Sequence, residues 1–218
     1  MNGKILLIGG GGHCRSVLDT ICSGCLYNVV GIVARDEANY NLLHKDPQLA
    51  PHLVGMDANL PELFMNGWKN AFVTLGSVGN PIGRKKVYSA LKTIGFHLPI
   101  IMDKSAVISE SSLICEGAYI GKKTLINAGC RIGCCSIINS GSIIEHDCTI
   151  GDFAHISSGT ILCGEVHVGE NTHVGAGTTV RQQIVIGKDS LIGIGSVVVK
   201  NIPDNVNAYG IPCKVVNK

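Results

Sequence analysis

Ile144-Glu145-His146-Asp147-Cys148-Thr149-Ile150-Gly151-Asp152-Phe153-Ala154-His155-Ile156 carries three isoleucines spaced six apart, and the spacing runs on in both directions. It passes back through Ile138, Ile132, Ile126, Ile120 and Ile114 to Ile108, and forward through Leu162, Val168, Val174, Val180, Ile186 and Ile192 to Val198, with no miss. Four residues after most anchors stands a small or thin side chain, as at Ala118, Cys130, Ser142, Cys148, Ala154, Thr160 and Ser196. The residue after the anchor is often Gly or Asn. One buried aliphatic per six-residue step, followed by a turn, predicts a hexapeptide β-solenoid whose short strands stack on equivalent strands above and below.

If three hexads make one triangular coil, residues eighteen apart are vertical neighbours at ~4.8 Å. His146 follows its anchor by two, in a slot that holds Glu116, Lys122, Asp152, Glu170 and Lys188 elsewhere, so it is expected to point outward. Gly164 falls directly above it, which leaves room for an extended ligand along the solenoid wall. His155 and His173 share one column, and His167 stands on another edge. His146 and His155 are nine residues apart, one and a half sides of the coil, so they are expected to meet only across an interface between prisms packed side by side. Ile137, Ile161, Val185 and Leu191 are read as the outward aliphatic column for such a face.

Composition agrees with an array of turns: 28 glycines and only 5% aromatic residues in 218. Net charge is +2, with no basic stripe interleaved with aromatics, which argues against a nucleic-acid partner. No apolar run approaches the ~20 residues of a membrane span, and no signal pattern opens the sequence, so a cytoplasmic protein is expected. Of the ten cysteines, Cys130 and Cys148 occupy the thin inward slot, where free cysteine acts as a small hydrophobe. Cys22 and Cys25 form a C-x-x-C with no second pair at zinc-finger spacing.

Residues 1–102 read as a separate α/β domain and residues 103–218 as the solenoid with a C-terminal tail. Lys4 to Ile8 is a short apolar strand leading into Gly9-Gly10-Gly11-Gly12-His13 and a helix from Cys14 to about Ser23. Further strands are expected at Val29 to Val33, Ala71 to Leu75 and Leu98 to Ile101, with a helix from Ile82 to Gly95. Such alternation means a small Rossmann-like parallel sheet whose ligands bind beyond the carboxyl ends of the strands. Gly11, Gly12, His13, Asp36, Gly79 and Asn80 are placed at that edge, the glycines for close approach of backbone N–H groups to phosphate. An NAD site would fit the strand-glycine-helix unit with an acid some twenty residues on. The unit is short, however, and no second mononucleotide half follows, which favours a nucleotide-linked ligand. The competing reading is that the glycines only pack the helix on the sheet.

The whole chain resembles the left-handed β-helix sugar acyltransferases, the family of the sialic-acid O-acetyltransferases and the UDP-4-amino-sugar N-acetyltransferase of bacillosamine synthesis. The residues that carry the resemblance are the glycine-rich start ending in His13, Gly79-Asn80 with Arg84, the unbroken array, Ile144-Glu145-His146-Asp147-Cys148, and Tyr209-Gly210-Ile211-Pro212-Cys213-Lys214-Val215. The resemblance implies a left-handed coil, a homotrimer, a sugar substrate held by the N-terminal domain, and acetyl-CoA lying between solenoids. It implies His146 as general base with Asp147 as its acidic partner, and His155, Gly164 and Lys214 at the acetyl-CoA site, with no metal.

The chemistry required is acyl transfer from a thioester to an amine or hydroxyl. A histidine near neutral pKa takes the proton of the attacking group and passes it to the departing thiolate. On an ideal strand Asp147 points away from His146, so its role needs a local bend at the coil corner; Glu145 is the other candidate. Ala34-Arg35-Asp36 departs from the consecutive acids of many relatives at the place where substrate choice is made. A UDP-linked amino sugar is the expected acceptor, with O-acetylation of a sialic-acid-type sugar as the alternative. A zinc-dependent β-helix enzyme of carbonic anhydrase type is the second alternative, although the spacing of His167 and His173 does not suggest it.

Overall fold

The structure, a computed structural model, describes residues 3–216. By internal contacts the chain forms two units. One runs to Gly76 and resumes over Ile82–Pro99; the other takes Ser77–Pro81 and continues from Ile100. The expected single cut at residue 102 differs from this in two places. Ile101–Met102 pairs with Tyr119–Ile120 as a solenoid strand, and Ser77–Pro81 packs with the solenoid although it lies in the first hundred residues.

The first unit is a parallel four-stranded sheet in the order β3-β2-β1-β4, with β1 Lys4–Ile8, β2 Val29–Ala34, β3 Leu53–Met56 and β4 Asn70–Val73. Ile5, Leu6, Leu7, Ile8, Ile32, Val33 and Phe72 are almost wholly buried, the near-continuous apolar runs of strands covered on both faces. The connecting helices are α1 Gly12–Gly24, α2 Glu37–Leu43, α3 Leu60–Met65 and α4 Ile82–Ile94. Three of these elements have no counterpart in the sequence reading: β3, α2 and α3. The last strand expected near Leu98 to Ile101 is not in this sheet; only His97 touches it, by a single bridge to Asn70.

Among the described residues the second unit is a parallel β-helix of two-residue strands in three sheets of five, six and eight strands, the last sheet ending in the three-residue strands Asn207–Tyr209 and Lys214–Val216, which pair antiparallel. From Ile101 to Val198 the rungs join residues eighteen apart, as in Thr149 to His167, His155 to His173 and Ile143 to Ile161, and in the last coil the interval shortens to sixteen, as in Leu191 to Asn207. The six-residue anchors Ile120, Ile138, Ile144, Ile156, Leu162, Val174, Val180, Ile186, Ile192 and Val198 are fully buried, and so are the thin residues Ala118, Cys130, Ser142, Cys148, Ala154 and Thr160. One core therefore runs the length of the coil. A Cβ added at Gly151, one residue past its anchor, would run into the backbone of Gly169 and Glu170 in the next coil, so rung spacing itself demands glycine there.

The aliphatic column needs correction. Ile137 lies on the face of His155 and Leu191, Ile161 on a second face and Val185 on the third, and Ile137 is buried. The outward aliphatic ladder that the structure shows is Val107, Leu125, Ile143, Ile161 and Val197, with Thr179 interposed, all on one face. The cysteines also divide: Cys130 and Cys148 are free and buried, whereas Cys115 and Cys134 are joined as a disulfide between adjacent coils. Cys25 ends α1 in the left-handed conformation.

Candidate active site

His146 stands on the corner between the strand Ile143–Ile144 and the strand Thr149–Ile150. Asp147, the next residue, takes φ +59, the left-handed turn position of the coil. That turn cancels the alternation of an ideal strand and brings the carboxylate back beside the imidazole, where Nδ1 of His146 donates to Oδ2 of Asp147 over 2.9 Å. Glu145 is occupied differently, since its carboxylate accepts from Nδ2 of Asn127 at 3.0 Å. The hydrogen bond from Nδ1 assigns the tautomer and leaves the lone pair of Nε2 to accept a proton. The Asp147 hydrogen bond raises the imidazole pKa, and the charges of Asp147, Glu145 and Glu165 add to that against the lowering effect of desolvation. The side chain is 55% exposed and so open to a reacting group.

Gly164 is the rung above. A Cβ there would come within 2.5 Å of Nε2 and 2.6 Å of Cε1 of His146, so any other residue would displace the ring. The corner continues upward at the same eighteen-residue interval through Gln182 to Lys200. Arg181, Gln182 and Lys200 line an open groove of about 520 Å³ two and three coils above the histidine. Arg181 and Lys200 were missed in the sequence reading, although the column spacing that found Gly164 points to them as well.

His155 lies on the face opposite that corner, so one chain does not bring it to His146. Its Nδ1 donates to the carbonyl of Ser77 at 2.9 Å, and its ring meets that of His173 edge-on at 4.7 Å. His173 is buried; desolvation lowers its pKa, opposed by the Ser77 carbonyl, and its Nε2 is 3.3 Å from the hydroxyl of Ser157. Gly79, at φ +67, lies against the side chain of Leu191. Gly79 and Asn80 thus belong to a loop, Ser77–Pro81, that packs with the solenoid. Lys214 opens the antiparallel terminal strand Lys214–Val216 and is exposed. Among the described residues, no group of three or more His, Cys, Asp or Glu side chains is placed to hold a metal ion.

In the N-terminal unit the four glycines separate into two pairs. A Cβ at Gly9 or Gly10 would collide with Leu75 or Leu43, so these pack the turn. A Cβ at Gly11 or Gly12 would meet nothing within 4 Å. Internal packing does not explain that second pair, which stands at the N-terminus of α1 where backbone N–H groups lack helical partners. His13, half-buried, is in the first turn of the same helix. Asp36 is the N-cap of α2: its carboxylate accepts from the backbone N–H and side-chain amide of Asn39 and from Nε of Arg35, which holds its pKa down at about 2.

Beside this edge lies a cavity of about 320 Å³, walled by Ile8, Leu75 and Val87 with Arg35, Asp57 and Lys86 among its lining. Burial pushes the Asp57 carboxyl up to about 6, with Arg35 opposing and Asp36 adding to the rise. Asp57 follows β3 directly, and it escaped the sequence reading because β3 did.

With this geometry established, two families match the chain: the PglD N-terminal domain over residues 4–91 and the bacterial transferase hexapeptide (six repeats) over residues 147–182. A perosamine N-acetyltransferase from Caulobacter crescentus, crystallised as a histidine-to-asparagine variant with CoA and GDP-perosamine, is 33% identical, with 99% of this chain and 98% of that one covered and a TM-score of 0.88. The acetyltransferase domain of PglB from Neisseria gonorrhoeae, solved with acetyl coenzyme A, is 27% identical over 99% of this chain and 100% of its own, with a TM-score of 0.86. WeeI from Acinetobacter baumannii, at 21% identity, shares the fold over 99% and 100% of the two chains with a TM-score of 0.82. The chain belongs to the hexapeptide-repeat sugar acyltransferases, in which an N-terminal domain of PglD type precedes a left-handed β-helix.

Proposed function

We propose that this protein transfers the acetyl group of acetyl-CoA to the amino group of a nucleotide-linked amino sugar, with His146 as general base and Asp147 as the residue that orients it. The observation that carries the reading is the His146–Asp147 hydrogen bond at an exposed corner, with Nε2 turned toward a glycine. The corner fits an extended thioester donor. Gly164 keeps the wall clear beside the imidazole, and Arg181 and Lys200 in the groove above supply positive charge suited to phosphates. Bound there, acetyl-CoA supplies an activated acyl group. Neutral His146 takes the proton that the amine sheds as it attacks, and the imidazolium, stabilised by Asp147, gives it to the leaving sulfur. No enzyme nucleophile is required.

The active protein is a homotrimer in this reading. His155 sits on the face opposite its own His146, so a site using both histidines draws on two chains, and the outward ladder Val107, Leu125, Ile143, Ile161 and Val197 offers an apolar surface for packing. UDP is the nucleotide expected from sequence, whereas the similar Caulobacter enzyme holds GDP-perosamine, so the base must be decided by the walls of the N-terminal cavity.

The test is thiol release from acetyl-CoA in the presence of GDP- and UDP-linked amino sugars, free sialic acids and amino acids. Acetylation of a nucleotide amino sugar that collapses in His146→Ala is the expected result. Undiminished transfer in that variant would overturn the mechanism, and transfer only to other acceptors would overturn the substrate class.

A further inference from the structure

In a sheet of order β3-β2-β1-β4 a nucleotide whose phosphates rest on the N-terminus of α1 extends its ribose toward the end of β2 and its base toward the end of β3. Here the residues at those ends are Arg35-Asp36 and Asp57. Asp36 has its oxygens committed to capping α2 and to Arg35. Asp57 differs: its Oδ1 is shielded from solvent and has no hydrogen-bond partner among the described residues, in a cavity whose walls are mainly aliphatic. A carboxylate oxygen held that way is costly until a donor reaches it. The cavity, at about 320 Å³, lies at the low end of the ~300–1,000 Å³ of small-molecule pockets, and its aliphatic walls suit a flat ring.

The chemistry of the four bases then discriminates. Guanine presents two adjacent donors, N1–H and the N2 amino group, spaced to meet both oxygens of one carboxylate. Uracil presents a single N3–H between two carbonyl oxygens, which would face the carboxylate with like partial charge. Adenine and cytosine each place an acceptor beside their amino group. Arg35 and Lys86, also lining the cavity, leave cationic donors for the acceptor atoms of the same ligand.

We infer that Asp57 reads the base of the acceptor nucleotide and that this base is guanine, so that the substrate is a GDP-linked amino sugar; the inference rests on the nucleotide-sugar reading of the N-terminal domain. A turn of the carboxylate about its terminal torsion, which is broad in aspartate, aligns both oxygens with the donor edge. Rejection of uracil follows from the second carboxylate oxygen, which it would bury without a donor and against a carbonyl oxygen, and not from its size.

The test titrates the full-length protein separately with GDP, UDP and acetyl-CoA by calorimetry, for the native chain and for Asp57→Asn. GDP is expected to bind about 10- to 100-fold more tightly than UDP to the native chain. Asp57→Asn is expected to remove most of that difference by weakening GDP alone, with acetyl-CoA binding unchanged and the thermal midpoint no lower than native, since the variant relieves a shielded unpaired charge. Tighter binding of UDP by the native chain would overturn the guanine assignment while leaving the nucleotide-sugar reading intact. Equal weakening of both nucleotides in the variant would also overturn it, because a carboxylate on the ribose hydroxyls behaves that way. Binding of neither nucleotide would overturn both readings. The native comparison needs no variant to fold.

Discussion

Glycine does opposite work in the two units of this chain. In the solenoid, Gly133, Gly151 and Gly169 each follow an anchor, and a Cβ at any of them would strike the backbone of the next coil. In the N-terminal unit, Gly11 and Gly12 face open space at the start of a helix. The same residue type is required by internal packing in one place and left for an approaching ligand in the other. Composition cannot separate these uses, but the question of what a methyl group would touch can. Gly164 joins them, because the atoms that crowd it belong to the proposed base, His146.

The largest expected effect is at the corner itself. His146→Ala should lower kcat/KM by about 10²- to 10⁴-fold, the usual worth of a positioned general base, with an unchanged far-ultraviolet circular dichroism spectrum. Next comes Gly164→Ala, which pushes the imidazole from its place. A displacement of about 1 Å can cost on the order of 10²-fold, so steady-state rates should fall steeply while the melting temperature stays near native; a fully active variant would show that ring position is immaterial.

Asp147→Asn should cost about 10- to 100-fold and change the pH profile. Neutral His146 is the active form, so the rate rises with pH as the imidazolium loses its proton. Asp147 raises that pKa, which places the native midpoint above the ordinary histidine value of about 6.5; the variant's midpoint should move down. A profile that stays put would mean the observed limb belongs to another group.

The smallest effects test the glycine contrast directly. Gly151→Ala should destabilise the protein by about 1–3 kcal/mol through overpacking, read as a lower urea midpoint. Gly12→Ala should do the reverse, since alanine is worth up to about 1 kcal/mol over glycine within a helix, while nucleotide affinity falls. Loss of stability in Gly12→Ala would place that glycine with the packing class.

His173 supplies a pH test of stability rather than activity. Its folded pKa is lowered by burial, so the unfolded chain binds the proton more readily. The contribution is complete above the unfolded value of about 6.5 and is lost as pH falls below it, and His173→Phe should flatten that part of the stability curve.

Much of the solenoid was readable in advance because its rule is arithmetic. A period of six placed the anchors, eighteen placed Gly164 over His146 and His173 over His155, and both rungs are as expected. The aliphatic face was misread because slots of one type were joined without keeping the interval of eighteen. The N-terminal unit has no period to lean on. Its β3 is a four-residue edge strand, Leu53–Met56, only half-buried and preceded by Pro51 and His52, so neither alternation nor a continuous apolar run marks it. With β3 unseen, Asp57 had no address.

Repetition and residue type therefore carried the family, the coil and the outward histidine, since a solenoid contacts only its neighbours and each position repeats a local rule. The partner of His146 depended on a single dihedral, φ +59 at Asp147, which turns a side chain that alternation would send away. The packing of Ser77–Pro81 on the solenoid and the convergence of Asp57, Arg35 and Lys86 on one cavity depend on contacts between residues far apart in the chain. Such contacts are set by how elements pack in space, and no local pattern encodes them.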